Sequence, residues 1–241
     1  MKCLPVQDEK EMSKAAAEII IGLVKEQPEL HLGLATGCTP QGTYAELVRD
    51  HKKNGTSYRH ATTLNLDEYV GLPRENRHSF YQFMDVHLFR HLDLCSENVH
   101  IPNGCAEDLD VECRRYDSLI AKTGGADLQL LGIGRNGHIG FNEPGTSFAS
   151  ETHVVRLTDS TRKANARFFP RLDDVPHQAI TMGIRSIFRS KTILLLASGE
   201  QKAPAIARLF NGGIDESFPA SVLKSHPDAT IIADRDACRL L

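Results

Sequence analysis

Two six-residue runs, Leu128–Ile133 (LQLLGI) and Thr192–Ala197 (TILLLA), are almost entirely apolar. They are far too short to cross a membrane and too apolar for a strand with one wet face. They suit strands buried on both faces, which is the situation of a parallel sheet covered by helices. The intervening segments supply the helices. Residues 8–26 place Met12, Ala16, Ile19, Leu23 and Val24 on one helical face, and Pro28 ends that pattern. Further strands are expected at Leu30–Ala35, Ala61–Leu66, Val99–Pro102, His153–Leu157 and Thr230–Ala233. Further helices are expected after Thr39-Pro40, with Thr39 as cap and Pro40 at the first helical position. Others are expected at Ser79–Leu92, Ala106–Lys122, Ser160–Phe169 and Gln201–Phe210. The first strand then begins near residue 30, after a single helix. Strands alternating with helices predict an α/β chain with a three-layer Rossmann-like fold, a mostly parallel central sheet and helices on both faces.

Composition narrows the function classes. At 241 residues, 41% hydrophobic and 24% charged, the chain is the size of one α/β domain spanning 1–241. Its net charge of -3 and lack of a basic block disfavour nucleic acid as a partner. Cys3, Cys38, Cys95, Cys105, Cys113 and Cys238 form no CxxC pair, so no zinc ribbon is expected. The opening residues MKCLPVQDEKEM lack the apolar core of a signal peptide, so a cytoplasmic location and reduced thiols are expected. No membrane contact, metal or cofactor is expected.

In open α/β sheets ligands gather at the carboxyl ends of the strands. Four chemically loaded segments follow expected strands: Thr36–Gly42, Asp67–Gly71, Gly134–Gly145 and Ser198–Lys202. In LGLATGCTPQGTY, small residues and the hydroxyls of Thr36 and Thr39 lead into a helix start. That suits an anion, although a tight turn with a capped helix explains the stretch equally well. It is not a P-loop. In LNLDEYVGL, Asp67 and Glu68 alternate about a strand end, so one faces a pocket. A carboxylate in a dry pocket serves as a base, whereas a capping or surface acidic pair needs no function. In LGIGRNGHIGFNEPGTSF, glycines surround Asn136 and His138, and Glu143 follows the histidine by five residues. A His–carboxylate pair suits proton transfer, and no second His or Cys stands at metal-ligand spacing. In SGEQKAPA, Lys202 could reach a phosphate or simply be solvated. Arg167 in ANARFF is flanked by aromatics, and its guanidinium calls for an anionic partner.

Taken together, the stretches LGLATGCTPQGTY, LNLDEYVGL, NRHSFYQFM, LLGIGRNGHIGFNEPGTSF, TRKANARFF, AITMGI and SGEQKA closely resemble the glucosamine-6-phosphate deaminase family, in order from residue 30 to residue 205. The resemblance implies conversion of D-glucosamine 6-phosphate and water to D-fructose 6-phosphate and ammonia, in amino-sugar catabolism. It implies Asp67 as the base moving a proton between C2 and C1, His138 as the group that opens the sugar ring, and Glu143 as its carboxylate partner. Asn136 matches a position that is Asp in many members. Thr36, Gly37, Cys38, Thr39 and Gly137 match the substrate loops, and Arg167 and Lys202 match the phosphate-gripping cations.

Larger hexameric members are activated by N-acetylglucosamine 6-phosphate through basic residues after the Glu motif. Here the stretch reads ETHVVRL, with His153 and Val155 where Arg and Lys are expected. A short non-allosteric enzyme, a monomer or small homo-oligomer, is therefore expected. The related 6-phosphogluconolactonases share the fold and are the main alternative, but lack the DEY and GHIGFNEP pair. A non-catalytic sugar-phosphate sensor would need neither Asp67 nor the His138–Glu143 pair. The expected first strand near residue 30 also leaves no room before it for the DNA-binding helices that such sensors carry.

Overall fold

The computed structural model describes residues 1–241, the side chain of Ala164 excepted. In chain order the elements are β1 (Lys2–Val6), α1 (Glu9–Glu26), β2 (His31–Leu34), α2 (Cys38–Asn54), β3 (Thr62–Asn65), β4 (Asp67–Tyr69), α3 (Phe80–His87), β5 (Val99–His100), α4 (Leu109–Lys122), β6 (Leu128–Gly132), β7 (His153–Arg156), α5 (Asp159–Asn165), β8 (Gln178–Thr181), α6 (Ile184–Phe188), β9 (Thr192–Ala197), α7 (Ala203–Asn211) and β10 (Ala229–Asp234). Seven strands form one sheet in the order β1-β10-β9-β6-β2-β3-β5, and every neighbouring pair is parallel. β4, β8 and β7 form a separate antiparallel sheet.

The two apolar runs became the adjacent central strands β6 and β9, paired from Leu128↔Thr192 to Gly132↔Leu196. Alternate residues of each run feed opposite faces. Leu131 and Leu195 pack with Tyr116 and Ile120 of α4 and Ile206 and Leu209 of α7. Leu128, Leu130, Leu194 and Leu196 pack with Met12, Ala16 and Ile20 of α1 and Tyr44 and Leu47 of α2. Each such fully buried aliphatic side chain contributes about 1.5–3 kcal/mol. This is the three-layer arrangement expected from the alternating pattern. Among the described residues no helix is long and apolar enough to cross a membrane.

Several local expectations are corrected. The first strand is β1, an edge strand at Lys2–Val6 paired with β10, not a strand near residue 30. Four of its five residues are exposed, and Pro5 is tolerated because an edge strand has an unpaired side. Thr39 does not cap α2. The helix starts at Cys38 behind Gly37, which makes no side-chain cap, and Pro40 lies in the first turn, where its missing N–H costs no bond. Residues 67–69 are strand β4 rather than loop. The helix expected over Ser79–Leu92 breaks at Leu88 into α3 and a 3-10 turn at Phe89–His91. That expected over Ser160–Phe169 likewise divides into α5 and a 3-10 turn at Ala166–Phe168. β8 and α6 were not foreseen.

The sheet order places a site. From β2 the chain winds outward through β3 and β5, then returns to lay β6 on the other side of β2 and continues through β9 and β10. The winding reverses between β2 and β6, and the crevice at such a reversal is where open α/β sheets bind ligands. The segments leaving β2 and β6 are 35–39 and 133–138.

Candidate active site

The loop after β2 ends at Gly37, whose φ of 105° is a conformation that favours glycine. It turns the chain so that α2 starts without a side-chain cap. The N–H groups of its first turn are left without a side-chain cap, at the positive end of the helix dipole. Thr36 and Thr39 are half-buried and Cys38 is exposed. Arg167, in the 3-10 turn after α5, reaches Cys38 with Nη2 3.4 Å from Sγ. Lys202, in the 3-10 turn Glu200–Lys202 after β9, donates from Nζ to the Ile133 carbonyl at 2.6 Å. Its pKa is lowered, first by burial and then by the neighbouring charges of Arg135 and Arg167. Arg135 and Arg167 thus lie near enough to Lys202 for their charges to act on it. Arg135, which donates to the Gln201 side chain, was not singled out from sequence.

The loop after β6 holds the imidazole. The Gly134 N–H donates to the His138 carbonyl (2.9 Å), and the Gly134 carbonyl accepts from the Gly137 N–H (3.0 Å), closing a tight turn. The His138 ring folds back over Gly134 so closely that a Cβ there would stand 2.3 Å from Nδ1. Only glycine leaves the ring this place. His138 Nδ1 lies 3.8 Å from Glu143 Oε2 and, among the described residues, has no hydrogen-bond partner. Burial lowers the His138 pKa, Glu143 opposes that shift, and Lys202 adds to it. Asn136 does not bond the imidazole ring. Its Nδ2 donates to Glu143 Oε2 at 2.6 Å and its Oδ1 accepts from the His138 backbone at 3.3 Å. Gly137 turns toward Phe218, and its N–H and carbonyl already hold Gly134 and Ala220.

Asp67 enters from the small sheet, opposite Thr181 of β8. It is buried, at 6% exposure. Its Oδ2 is 3.8 Å from where a Cβ at Gly140 would stand, which sets it against the turn that follows His138. Burial, and then the charge of Glu68, push its pKa up to about 8. Glu68 points the other way, as strand alternation requires, yet it too is buried. It accepts from the backbone N–H groups of Tyr69 (2.8 Å), Phe80 (2.8 Å) and Tyr81 (2.9 Å). Burial pushes it up to about 7 against those three donors. Glu68 thus anchors the start of α3, and among the described residues Asp67 has no such N–H donors. The two carboxylates differ in role because one is saturated with hydrogen bonds and the other is merely desolvated.

Thr161 of α5 was also passed over. It sits in TDST, residues 158–161, which reads as an ordinary helix cap. Its hydroxyl donates to Glu143 Oε1 at 2.7 Å. Among the described residues no group of three or more His, Cys, Asp or Glu side chains is placed to hold a metal. The arrangement offers a desolvated carboxylate, an imidazole beside a carboxylate, and an anion grip, all around one crevice. That set can move protons on a small phosphorylated molecule.

Comparison with known proteins shows what the whole chain is similar to. Residues 7–232 match the family described as glucosamine-6-phosphate isomerases/6-phosphogluconolactonase. The chain is 58% identical over 241 residues to a glucosamine-6-phosphate deaminase of Geobacillus sp. (strain WCH70), covering 100% of this chain and 96% of that one. It superposes on the solved structure of a monomeric glucosamine-6-phosphate deaminase with a TM-score of 0.98 and 52% identity, covering 100% of both chains. It also superposes on the 6-phosphogluconolactonase of Trypanosoma cruzi with a TM-score of 0.81, over 100% of this chain and 96% of that one. At 20% identity that likeness shows the fold alone.

Proposed function

Because the chain belongs to the glucosamine-6-phosphate isomerase/6-phosphogluconolactonase family, we propose that it is an enzyme converting D-glucosamine 6-phosphate and water to D-fructose 6-phosphate and ammonia. The observation that carries the choice within the family is full-length identity of 50–58% to deaminases, set beside a buried, N–H-free carboxylate at Asp67. Lactone hydrolysis needs no base of that kind. The C2 hydrogen of an open-chain aldose is acidified by the C1 carbonyl, and a carboxylate pushed up to about 8 is a base of matching strength at neutral pH. We infer the roles from the family resemblance, and the positions described above support them. His138, held beside Glu143, gives a proton to the ring oxygen and opens the sugar. Asp67 takes the proton from C2 and delivers it to C1. The resulting C2 imine takes up water and releases ammonia. Thr36, Gly37, Cys38 and Thr39 with Arg167 and Lys202 hold the phosphate, and Gly137 shapes the loop that carries His138. We place all of this in a single catalytic domain spanning 1–241 and working in the cytoplasm. The test is ammonia release from glucosamine 6-phosphate. Ammonia with stoichiometric fructose 6-phosphate supports the reading, and hydrolysis of 6-phosphogluconolactone without ammonia release overturns it.

Asn136 gives a sharper expectation. Asn136→Asp would replace the amide that donates to Glu143 with a second carboxylate at 2.6 Å. The added negative charge favours the imidazolium of His138. The apparent pKa of that group in the pH–rate profile should rise, and an unchanged set of apparent pKa values would count against the assignment.

We infer the absence of effector control from residues on β7. His153 and Val155 lie on this strand of the small sheet, and neither supplies a permanent cation for an effector phosphate. The enzyme is expected to act as a monomer or small oligomer with hyperbolic kinetics. A rise in activity at low substrate on adding N-acetylglucosamine 6-phosphate would refute that.

A further inference from the structure

We infer that Thr161 is a positioning residue that fixes the Glu143 carboxylate against His138 and ties the ring-opening pair to the phosphate-gripping segment. This rests on the deaminase reading above. Glu143 is held at both oxygens. Oε2 accepts from Asn136 Nδ2 at 2.6 Å and faces His138 Nδ1 at 3.8 Å, while Oε1 accepts from the Thr161 hydroxyl at 2.7 Å. The last torsion of a Glu side chain is broad, so one hydrogen bond leaves the carboxylate plane free to swing. Two donors, one on each oxygen, lock it. His138 Nδ1 depends on that lock, because it is buried and has no other partner among the described residues.

The hydroxyl is itself aimed. Thr158, the N-cap of α5, accepts the Thr161 N–H at 3.2 Å, and its hydroxyl donates to the Thr161 Oγ1 at 3.0 Å. The Thr161 Oγ1 therefore receives one hydrogen bond and gives its own hydrogen to Glu143. A helix cap requires only the first of these contacts, and the bond to a residue 18 positions earlier is the surplus. The helix that carries Thr161 runs directly into the turn that carries Arg167, whose guanidinium meets Cys38 at the phosphate loop. Beyond it Phe169 packs on Tyr69 (5.7 Å between ring centres) and stacks on His78 (4.6 Å). Residues 158–169 are thus fastened at one end to the proton-transfer pair and at the other to the phosphate grip and the strand of Asp67. A substrate phosphate held by Arg167 steadies the helix, and Thr161 passes that order to Glu143.

The experiment measures kcat and KM for ammonia release in Thr161→Val and Thr161→Ser, each alone and with Glu143→Ala. Loss of one hydrogen bond to a charged group predicts a drop in kcat of about tenfold for Thr161→Val, with KM within about twofold of wild type. Thr161→Ser, which keeps the hydroxyl, should restore kcat to within about threefold. In the Glu143→Ala background, Thr161→Val should cost nothing further, because the group it positions is gone. A purely structural threonine would lower kcat by the same factor with or without Glu143. A Thr161→Val enzyme with wild-type kcat, or an unchanged penalty in the Glu143→Ala background, overturns the inference. Should Thr161→Val fail to fold by circular dichroism, Thr161→Ala is judged by the same criteria. A wild-type chain that releases no ammonia sinks the deaminase reading instead, so the two failures are distinguishable.

Discussion

Asp67→Asn is expected to lower kcat for ammonia release about a thousandfold, the weight of a positioned general base, while KM stays within a few-fold. Asn matches Asp in size and fits the same buried place beside Thr181 and Gly140. It cannot accept the C2 proton. Where the wild-type carboxyl is ionised, the change also removes a buried charge, so the variant fold is not expected to be weakened there. The Asp67 pKa is raised in the fold to about 8. A carboxyl raised above its unfolded value contributes stability that is complete below the ordinary carboxylate range and is lost as pH rises through its folded value. Above pH 8 the wild-type fold therefore carries a desolvated carboxylate that Asp67→Asn does not. The variant should melt no lower than wild type there. The same displaced titration shapes the rate. In the free enzyme the basic form of Asp67 grows as pH rises toward about 8, so kcat/KM should climb through that region. The limb belongs to the coupled pair Asp67 and Glu68. A variant that is folded and retains more than about a tenth of wild-type kcat would remove Asp67 from the proton transfer.

Gly134→Ala is expected to cost about a hundredfold in kcat, approaching the loss in His138→Gln, from a single methyl group. Gly134 has no positive φ, so alanine suits its backbone. The penalty is steric. The new Cβ would overlap the His138 ring at 2.3 Å from both Nδ1 and Cε1, and one of them must move. The backbone is pinned by the bonds of Gly134 to His138 and Gly137, so the ring yields and loses its alignment with Glu143. Kinetics of the two single variants and the double variant check this. Adding Gly134→Ala to His138→Gln should change kcat by less than about twofold, because both remove one interaction. Near-wild-type activity in Gly134→Ala would mean that the imidazole works from another position.

What could be read in advance depended on whether a residue's partners were local. β6 and β9 were legible because burial on both faces leaves an unbroken apolar run. The loops at Thr36, Gly134 and Ser198 were legible because glycines follow such runs. β1 was not, since an exposed edge strand with Lys2 and Pro5 carries no burial pattern. Strand alternation separated Asp67 from Glu68 but gave no hint that Glu68 would collect N–H groups from Phe80 and Tyr81, a dozen residues on. The resemblance marked Asn136 only as a position that is Asp in many members, and gave no hint that its amide would be turned to Glu143. Thr161 was invisible as a site residue because capping is sufficient reason for a threonine at a helix start. Its partner is supplied by the fold.

In the proposed mechanism nitrogen leaves only after a proton moves from C2 to C1. Glucosamine 6-phosphate deuterated at C2 tests it directly, with the sugar phosphate product identified by NMR. The expected product is fructose 6-phosphate, whose C2 carbonyl carries no hydrogen, with the deuterium found on C1 or lost to water, one molecule for each ammonia released, and formed about a thousandfold more slowly by Asp67→Asn. Ammonia released together with an aldose 6-phosphate that still carries deuterium on C2 would show direct displacement of the amine, and would contradict it.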